Sequence, residues 1–391
     1  MFSIRHNNII DLIKIFSDHT EKIKEVSSTI TAYFTTSTSS NGSGFLYRYK
    51  QQNYILTATH IILDNNNNLA QNVYATYYKN GKTYIKNIPS SKIYYNIQFD
   101  IAILELEDNE LEIIGIPFGN NRNIKIGEPV ISVGNPLSND PHSYSFGVIR
   151  DNNYIYQYSN NAYETVLVDA STYSGNSGGM LLSIDNDKNI YIIGMLQFGF
   201  IHSAEIDGVS NIVRVPAESF GGGLSAKKME FIIEKALESK IPGHFIFPTL
   251  LINTRPITNS WLISNLNTYN KIDGCYLTNN YDNDLKINTV IEKIDDNPLG
   301  TQLGGKNLLS ILLELYYSNQ TNVKIELGDG RTVYKNIKNL FNSNQATILN
   351  NNNQNKNDIQ NKVDIWNKDN IKTNINSEFK FIFKNKDHYL L

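Results

Sequence analysis

The chain has a single cysteine, Cys275, among 391 residues, so no intramolecular disulfide can staple it. Its stability must come from packed cores. Long hydrophobic runs are also missing. Nowhere do 18 apolar residues stand together, and no membrane span is expected. Met1–Asn8 carries neither an apolar h-region nor a small-residue cleavage site, so no secretory leader is read there. The expectation is a soluble protein, intracellular or enclosed in a particle. Positive charge is in short supply too: the net charge of −3 offers no basic footprint for nucleic acid.

What is present is a hydrophobic fraction of 40%, with 24 tyrosines, in a chain long enough for two or three domains. Asn and Ile are over-used, as in AT-rich genomes of protists or large viruses, which reflects coding DNA more than chemistry. Ile9, Leu12, Ile13, Phe16, Ile23 and Val26 recur at helical spacing with charges between them. This predicts an amphipathic helix within residues 1–28. It could pack on its own domain, serve a trimer contact or lie on a membrane surface. The mixed charges of Lys14, Asp18, Glu21, Lys22, Lys24 and Glu25 disfavour the membrane reading, which prefers a basic face.

From residue 29 the texture changes to short β-rich runs punctuated by Asn, Gly, Asp and Pro, the pattern of an all-β barrel or sandwich. A helix at 225–239 closes this region at about residue 240. Residues 241–341 read as a smaller α+β unit with an apolar helix at 307–317 and a closing hairpin at 323–327 and 332–337. The stretch 342–391 opens on a tract of almost unbroken Asn, Gln, Lys and Asp and reads as a largely disordered tail.

Three strings carry chemistry. SGNSGG places Ser177 in a glycine turn of the kind that exposes a hydroxyl and aims backbone N–H groups at a developing oxyanion. Gly175 and Ser177 are the candidate donors. Alone, the string could be a plain turn between strands. ILTATH delivers His60 from a strand into a turn of small residues. The other six histidines have no motif around them and read as ordinary surface or core residues. FDIAILEL sets Asp100 ahead of an apolar strand, where an Asp is otherwise a common cap. The order His, Asp, Ser, with gaps of 40 and 77 residues, is the chymotrypsin order and leaves room for one β-barrel and most of another.

Further runs add a family resemblance. GEPVISVGNPLS at 127–138, SFGVIRD at 145–151, VDASTYSGNSGGMLL at 168–182 and IIGMLQF at 192–198 resemble the HtrA/DegP-type trypsin-like serine proteases. The resemblance implies a mainly β fold with two six-stranded barrels, followed by a smaller PDZ-like α+β domain. It implies cofactor-free, metal-free cleavage of unfolded or flexible polypeptides, and a homotrimer. Ser174 and Met180 stand where the family usually has Pro, which bears on the geometry of the active state. By the same resemblance the S1 pocket has Ser171 at its base, with Tyr173, Met195, Leu196 and Gln197 around it. With no acid at the base, small or medium apolar P1 residues are expected. Asp169 reads as a structural hydrogen-bonding residue with an ion pair as the alternative.

LKINTVIEKIDDNPLG at 285–300 resembles a PDZ domain, with Asn288 and Thr289 in place of the usual Gly-Asp. Its carboxylate-binding loop falls at Leu250, Leu251 and Ile252 and would take C-terminal peptides by strand addition. A packed spacer restraining the protease is the other reading of this unit. Cys275 reads as a small buried hydrophobe. A catalytically silent HtrA-like chaperone or peptide-binding protein is the rival function. It differs from the protease in one respect, an idle Ser177.

Overall fold

The computed structural model describes residues 6–107, 115–119, 124–136, 143–158, 161–185, 187–204, 213–257, 274–299, 308–318 and 320–342. The tail expected beyond residue 342 lies outside the described residues. Helix α1 (His6–Val26) runs without a break into strand β1 (Ser27–Tyr33), and Ser27 Oγ donates to the Ile23 carbonyl at 2.7 Å across the junction. Phe16, Ile23 and Val26 are buried in the main core. Glu25 pairs with Lys79 at 3.4 Å, and Phe16 meets Phe146 edge-on at 5.7 Å. The helix therefore packs on its own protein, as its apolar spacing favours.

Strands β1, β2 (Ser39–Tyr49), β3 (Gln52–Thr57), β4 (Asn72–Lys79), β5 (Lys82–Ile88), β6 (Ile93–Asn96) and β7 (Ile101–Glu105) form one sheet in the order β6-β7-β3-β2-β1-β4-β5. Burial alternates along β1 and β4, the period-2 signature of a sheet with one face on a core. This sheet is not a closed six-stranded barrel, which corrects the expectation from sequence. Closure would need β5 to pair with β6. Pro89 and a 3-10 turn at Ser90–Lys92 separate the two. The free edge of β6 is instead taken in parallel by β14 (Gly243–His244), an eighth strand arriving from beyond the next sheet.

The second sheet does close. Strands β8 (Pro129–Gly134), β9 (Ser143–Tyr158), β10 (Asn161–Asp169), β11 (Met180–Ile184), β12 (Ile190–Ala204) and β13 (Val213–Ser225) form a six-stranded barrel in the order β10-β13-β12-β11-β8-β9. Val130, Ile149, Val166, Val168, Leu181, Ile193 and Leu196 fill a core of its own. The fold is thus mainly β, as expected, with one closed barrel and one open sheet.

Helix α2 is a single turn at Thr59–Ile62, and α3 (Ala226–Ser239) follows the barrel. Ser225 caps α3, its hydroxyl accepting from the Lys228 N–H at 3.3 Å, and Lys240 ends it in the left-handed region. The remaining unit has strands β15 (Thr249–Leu250), β16 (Thr254–Pro256), β17 (Cys275–Leu277), β18 (Val290–Ile294), β19 (Asn297–Pro298), β20 (Asn322–Leu327), β21 (Thr332–Asn336) and β22 (Phe341–Asn342), with helix α4 (Leu308–Tyr317). β16, β17, β18, β20 and β21 pair in that order, and β19 pairs with β18. Cys275 is buried, and desolvation pushes its thiol up to about 12, as suits an inert packing residue.

Helix α4 is held against the barrel by aromatics and charge. Phe231 of α3 stacks on Phe247 at 5.8 Å, and Tyr317 of α4 meets both. Lys228 is 2% exposed, with Nζ 3.7 Å from Glu164 of β10 and 3.9 Å from Glu314 of α4. Burial lowers its pKa, and the two carboxylates oppose that shift.

His244, on the strand that closes off β6, lies flat on Tyr95 with ring centroids 5.2 Å apart. Burial depresses its pKa from 6.5 to about 4, so the folded protein holds it neutral where the unfolded chain would take a proton. At pH 7 both states are neutral and nothing is lost. As pH falls from 6.5 towards 4 the unfolded state binds the extra proton and stability declines, by about 3 kcal/mol in all. Urea unfolding at pH 7 and pH 4 should show this extra acid loss in the native chain. The loss should shrink by the same amount in His244→Phe, which keeps the ring contact.

Candidate active site

The first sheet supplies two of the candidate residues. Strand β3 ends at Thr57, and the α2 turn that follows presents His60. Asp100 precedes β7 with φ at 51°, a left-handed conformation that Asp tolerates better than most residues. Its carboxylate takes both ends of the histidine: Oδ2 lies 2.7 Å from His60 Nδ1, and Oδ1 accepts the His60 backbone N–H at 2.9 Å. A carboxylate can only accept, so Nδ1 is the donor of this bond and Nε2 is the ring nitrogen turned away from Asp100. Nε2 is buried and has no hydrogen-bond partner among the described residues, a state suited to receiving a proton.

The unusual backbone at Asp100 is secured by Gln197. Its amide Nε2 donates to the carbonyls of Phe99 at 2.7 Å and Asp100 at 2.9 Å. Thr59 N adds a longer bond to the Asp100 carbonyl at 3.4 Å. The sequence reading placed Gln197, Met195 and Leu196 on the S1 wall, and the structure corrects this. Gln197 is 1% exposed and faces the Asp100 turn. Met195 and Leu196 are 0% and 2% exposed, with side chains in the two cores. Strand β12 serves the catalytic turn through its main chain instead. The Gly178 N–H donates to the Leu196 carbonyl at 2.7 Å, and the Leu196 N–H donates to Gly179 at 2.8 Å. Ser171 is half-buried and Tyr173 is 38% exposed, so these two stay at the surface of the cleft.

Ser177 is 1% exposed, and its Oγ, like His60 Nε2, is buried without a partner among the described residues. The two do not hydrogen-bond each other, but the seam between the sheets sets the Ser177 turn against β2 and the end of β3. Ser43 of β2 donates its N–H to the Ser177 carbonyl at 2.8 Å, and Gly178 lies against Thr57 and Ala58, just ahead of His60. A Cβ on Gly178 would stand 2.1 Å from the Ser43 carbonyl oxygen, at a φ of +80°.

The turn before Ser177 is a type II turn. Asn176 N donates to the Tyr173 carbonyl at 3.0 Å, and Gly175 has φ 97°. The N–H groups of Gly175 and Ser177 donate to no partner among the described residues. The Asn176 carbonyl accepts from Gly179 N at 2.9 Å, so the trans peptide it shares with Ser177 aims the Ser177 N–H the opposite way. Free, fixed donors beside a buried hydroxyl are what an oxyanion needs. Met180 is fully buried in the core and does not intrude on the turn.

Other candidates fall elsewhere. Arg150 and Asp169 stand 3.9 Å apart with both side chains more than 40% exposed, a pair worth little. In the carboxylate-loop candidate, the Leu251 N–H is already taken by the Leu340 carbonyl at 2.8 Å. Leu251 is exposed and Ile252 is buried. Among the described residues no helix is long and apolar enough to cross a membrane.

Two features escaped the sequence reading. Ser43 is a polar residue between two glycines where β2 turns from its polar start to its apolar part, and Gln197 is a lone amide in an apolar run. That polarity is the only signal either one offers.

A part-buried Asp–His pair on one side of a seam and, on the other, a buried serine in a glycine turn with free N–H groups are the features of the trypsin-like class of serine peptidase domains. Residues 42–195 match the family model described as the trypsin-like peptidase domain. A probable periplasmic DegP-like serine endoprotease of Pseudomonas fulva is 28% identical over 170 residues, 43% of this chain and 31% of that protein. An HtrA-like serine protease of Staphylococcus haemolyticus is 25% identical over 274 residues, 68% of this chain and 37% of that one. The chain thus spans about a third of the length of the curated relatives it matches. The fold is similar to that of the HtrA-type protease AlgW with tripeptide, at TM-score 0.53 and 17% identity. That match covers 82% of this chain and 94% of the other. The peptidase region of this chain is thus similar to HtrA-type serine proteases.

Glycine at 178 is testable apart from function. Gly178→Ala should cost at least about 3 kcal/mol, because backbone must move as well as φ. Gly127→Ala, with a similar φ of +86° but open space around it, should cost only about 1 kcal/mol. Equal losses in urea unfolding would refute the packed seam.

Proposed function

We propose that the chain is a serine endopeptidase with Ser177 as nucleophile, His60 as general base and Asp100 as the group that orients and charge-stabilises the imidazole. The observation that carries this is the His60–Asp100 pairing at 2.7 Å, with Nε2 and Ser177 Oγ left unpartnered. Ser177 Oγ attacks the scissile carbonyl carbon while its proton passes to Nε2. The tetrahedral oxyanion is held by the N–H groups of Gly175 and Ser177. Nε2 then returns the proton to the leaving amine, and the acyl-enzyme forms. Water, deprotonated by the same nitrogen, then attacks the acyl carbon; the bond to Oγ breaks, Nε2 returns the proton to Oγ, and the new carboxyl terminus leaves.

The substrates we propose are flexible polypeptides, in line with the HtrA resemblance. A neutral Ser171 at the pocket base disfavours Lys and Arg at P1, and Tyr173 at the rim supports small or medium apolar side chains. For the unit after α3 we propose a PDZ-like module. With the Leu251 N–H already in use, capture of a peptide carboxylate would fall to the rest of the loop. The idle-serine rival gains no support from Ser174 or Met180, since the type II turn keeps the Gly175 N–H unpaired.

Purified protein should react with a fluorophosphonate probe and digest casein. Ser177→Ala should abolish labelling and lower casein hydrolysis by a factor on the order of 10⁴–10⁶. Asp100→Asn should retain the fold and lose about 10⁴ in kcat, because the amide presents the histidine in the wrong tautomer. A wild-type chain inert to both probe and casein would overturn the proposal in favour of the binding protein.

A further inference from the structure

We infer that Ser43 is a positioning residue for the oxyanion hole, an inference that rests on the serine-protease reading above. Ser43 lies in β2 of the first sheet, outside the Asp–His pair and outside the nucleophile turn, and is 2% exposed. It is wired to the nucleophile turn and to Thr57, the end of the strand that leads to His60. Its Oγ donates to the Gly175 carbonyl at 2.7 Å and accepts the Asn135 N–H at 2.7 Å. Its own N–H donates to the Ser177 carbonyl, and its carbonyl accepts from Thr57 Oγ1 at 2.7 Å.

The effect can be followed peptide by peptide through the turn. The unit Asn176–Ser177 is tied by Gly179 N on the Asn176 carbonyl. The unit Ser177–Gly178 is tied at both ends, by Ser43 N on its carbonyl and by the Leu196 carbonyl on its N–H. The unit Gly175–Asn176 is tied by Asn176 N to the Tyr173 carbonyl and by the Ser43 hydroxyl to the Gly175 carbonyl. Only the unit Ser174–Gly175 has neither end bonded among the described residues. That free unit carries the Gly175 N–H, one of the two oxyanion donors.

Its orientation is inherited from the plane next to it, through the torsions of Gly175. Glycine opposes no rotation by itself. Ser174 adds little, because its φ is not fixed by a ring as that of Pro would be. The Ser43 hydroxyl holds the neighbouring plane, so it keeps the type II turn open. Without it, the Ser174–Gly175 unit can rotate towards a type I arrangement, which withdraws the donor and swings the Ser174 carbonyl round. The Asn135 N–H fixes the direction of the hydroxyl proton, since it occupies the oxygen and leaves the O–H for Gly175.

The test compares Ser43→Ala and Ser43→Thr with the wild type in casein hydrolysis and in adducts with a peptidyl trifluoromethyl ketone bearing valine at P1. In that adduct Ser177 Oγ adds to the ketone carbon and the former carbonyl oxygen titrates as a hemiketal, followed by ¹⁹F NMR. Ser43→Ala should lower kcat about 10- to 100-fold with KM changed less than about two-fold. It should raise the hemiketal pKa by about one unit, because the anion loses a donor. Ser43→Thr, which keeps the hydroxyl, should restore the hemiketal pKa. A merely structural role would lower the melting temperature and the labelled fraction and leave the hemiketal pKa of the remaining sites in place. An active wild type with unchanged kcat and hemiketal pKa in Ser43→Ala overturns the assignment alone. A wild type that neither labels nor digests casein overturns the protease reading, and this assignment with it.

Discussion

Ser177 and the His60–Asp100 pair arise from two separately built β-structures, and the proposed site depends on how closely those structures meet. The approach is set by backbone: the Ser43 N–H reaches the Ser177 carbonyl at 2.8 Å, and Gly178 leaves no room for a Cβ against Ser43 and Thr57. Main-chain contact of this kind does not depend on rotamers, so it fixes the Ser177 turn relative to β2 and the end of β3 more firmly than side-chain packing would. It also dries the seam. Both His60 Nε2 and Ser177 Oγ are buried, and in low dielectric a developing charge is felt more strongly.

The same economy runs through the Asp100 turn. A left-handed Asp costs something of order 1 kcal/mol. The surroundings recover it through His60 N on Oδ1, Gln197 on two successive carbonyls, and the edge-on contacts of Phe99 with Tyr163 and Phe247. The strained residue is the one whose carboxylate must point in a single direction. The strain is local, and the elements that balance it come from the α2 turn, from the closed barrel and from the segment after α3.

Much of this was legible before any coordinates. Ser177, His60 and Asp100 announce themselves because each needs a particular local backbone, and that backbone needs Gly, Ala and Thr at fixed offsets. The helix at the start was readable because its apolar spacing is long and regular, and Phe16, Ile23 and Val26 are buried as that spacing requires. Tertiary choices were not legible. Nothing in KIYYN says that β6 will pair with Gly243–His244 and leave the first sheet open, since that partner lies about 150 residues away. The S1 wall was misjudged for a related reason. Strand β12 lies between β11 and β13 inside a closed barrel, so Met195 and Leu196 have cores to fill, and the alternation of faces is fixed by those neighbours. Gln197 could be noticed as an amide in an apolar run and Ser43 as a polar residue between glycines, but their partners could not be named.

The unit after α3 attaches by a different logic. Lys228 is almost wholly buried between Glu164 of the barrel and Glu314 of α4, with Nζ at ion-pair distance from both and in hydrogen-bond geometry with neither. A charge desolvated to that degree is a poor source of net stability, because removal from water offsets most of the attraction. The affinity between the two units must come from Phe231, Phe247, Tyr317 and the apolar face of α3. The lysine instead discriminates among ways of packing them: any register of α4 that moves Glu314 away leaves a buried cation with one distant partner. Phe247 touches Tyr317 on one side and Phe99 on the other, and Phe99 is the residue before Asp100. The packing that seats α4 and the packing that supports the Asp100 turn are therefore one continuous aromatic cluster, so a shift of either is felt by the other through direct contact.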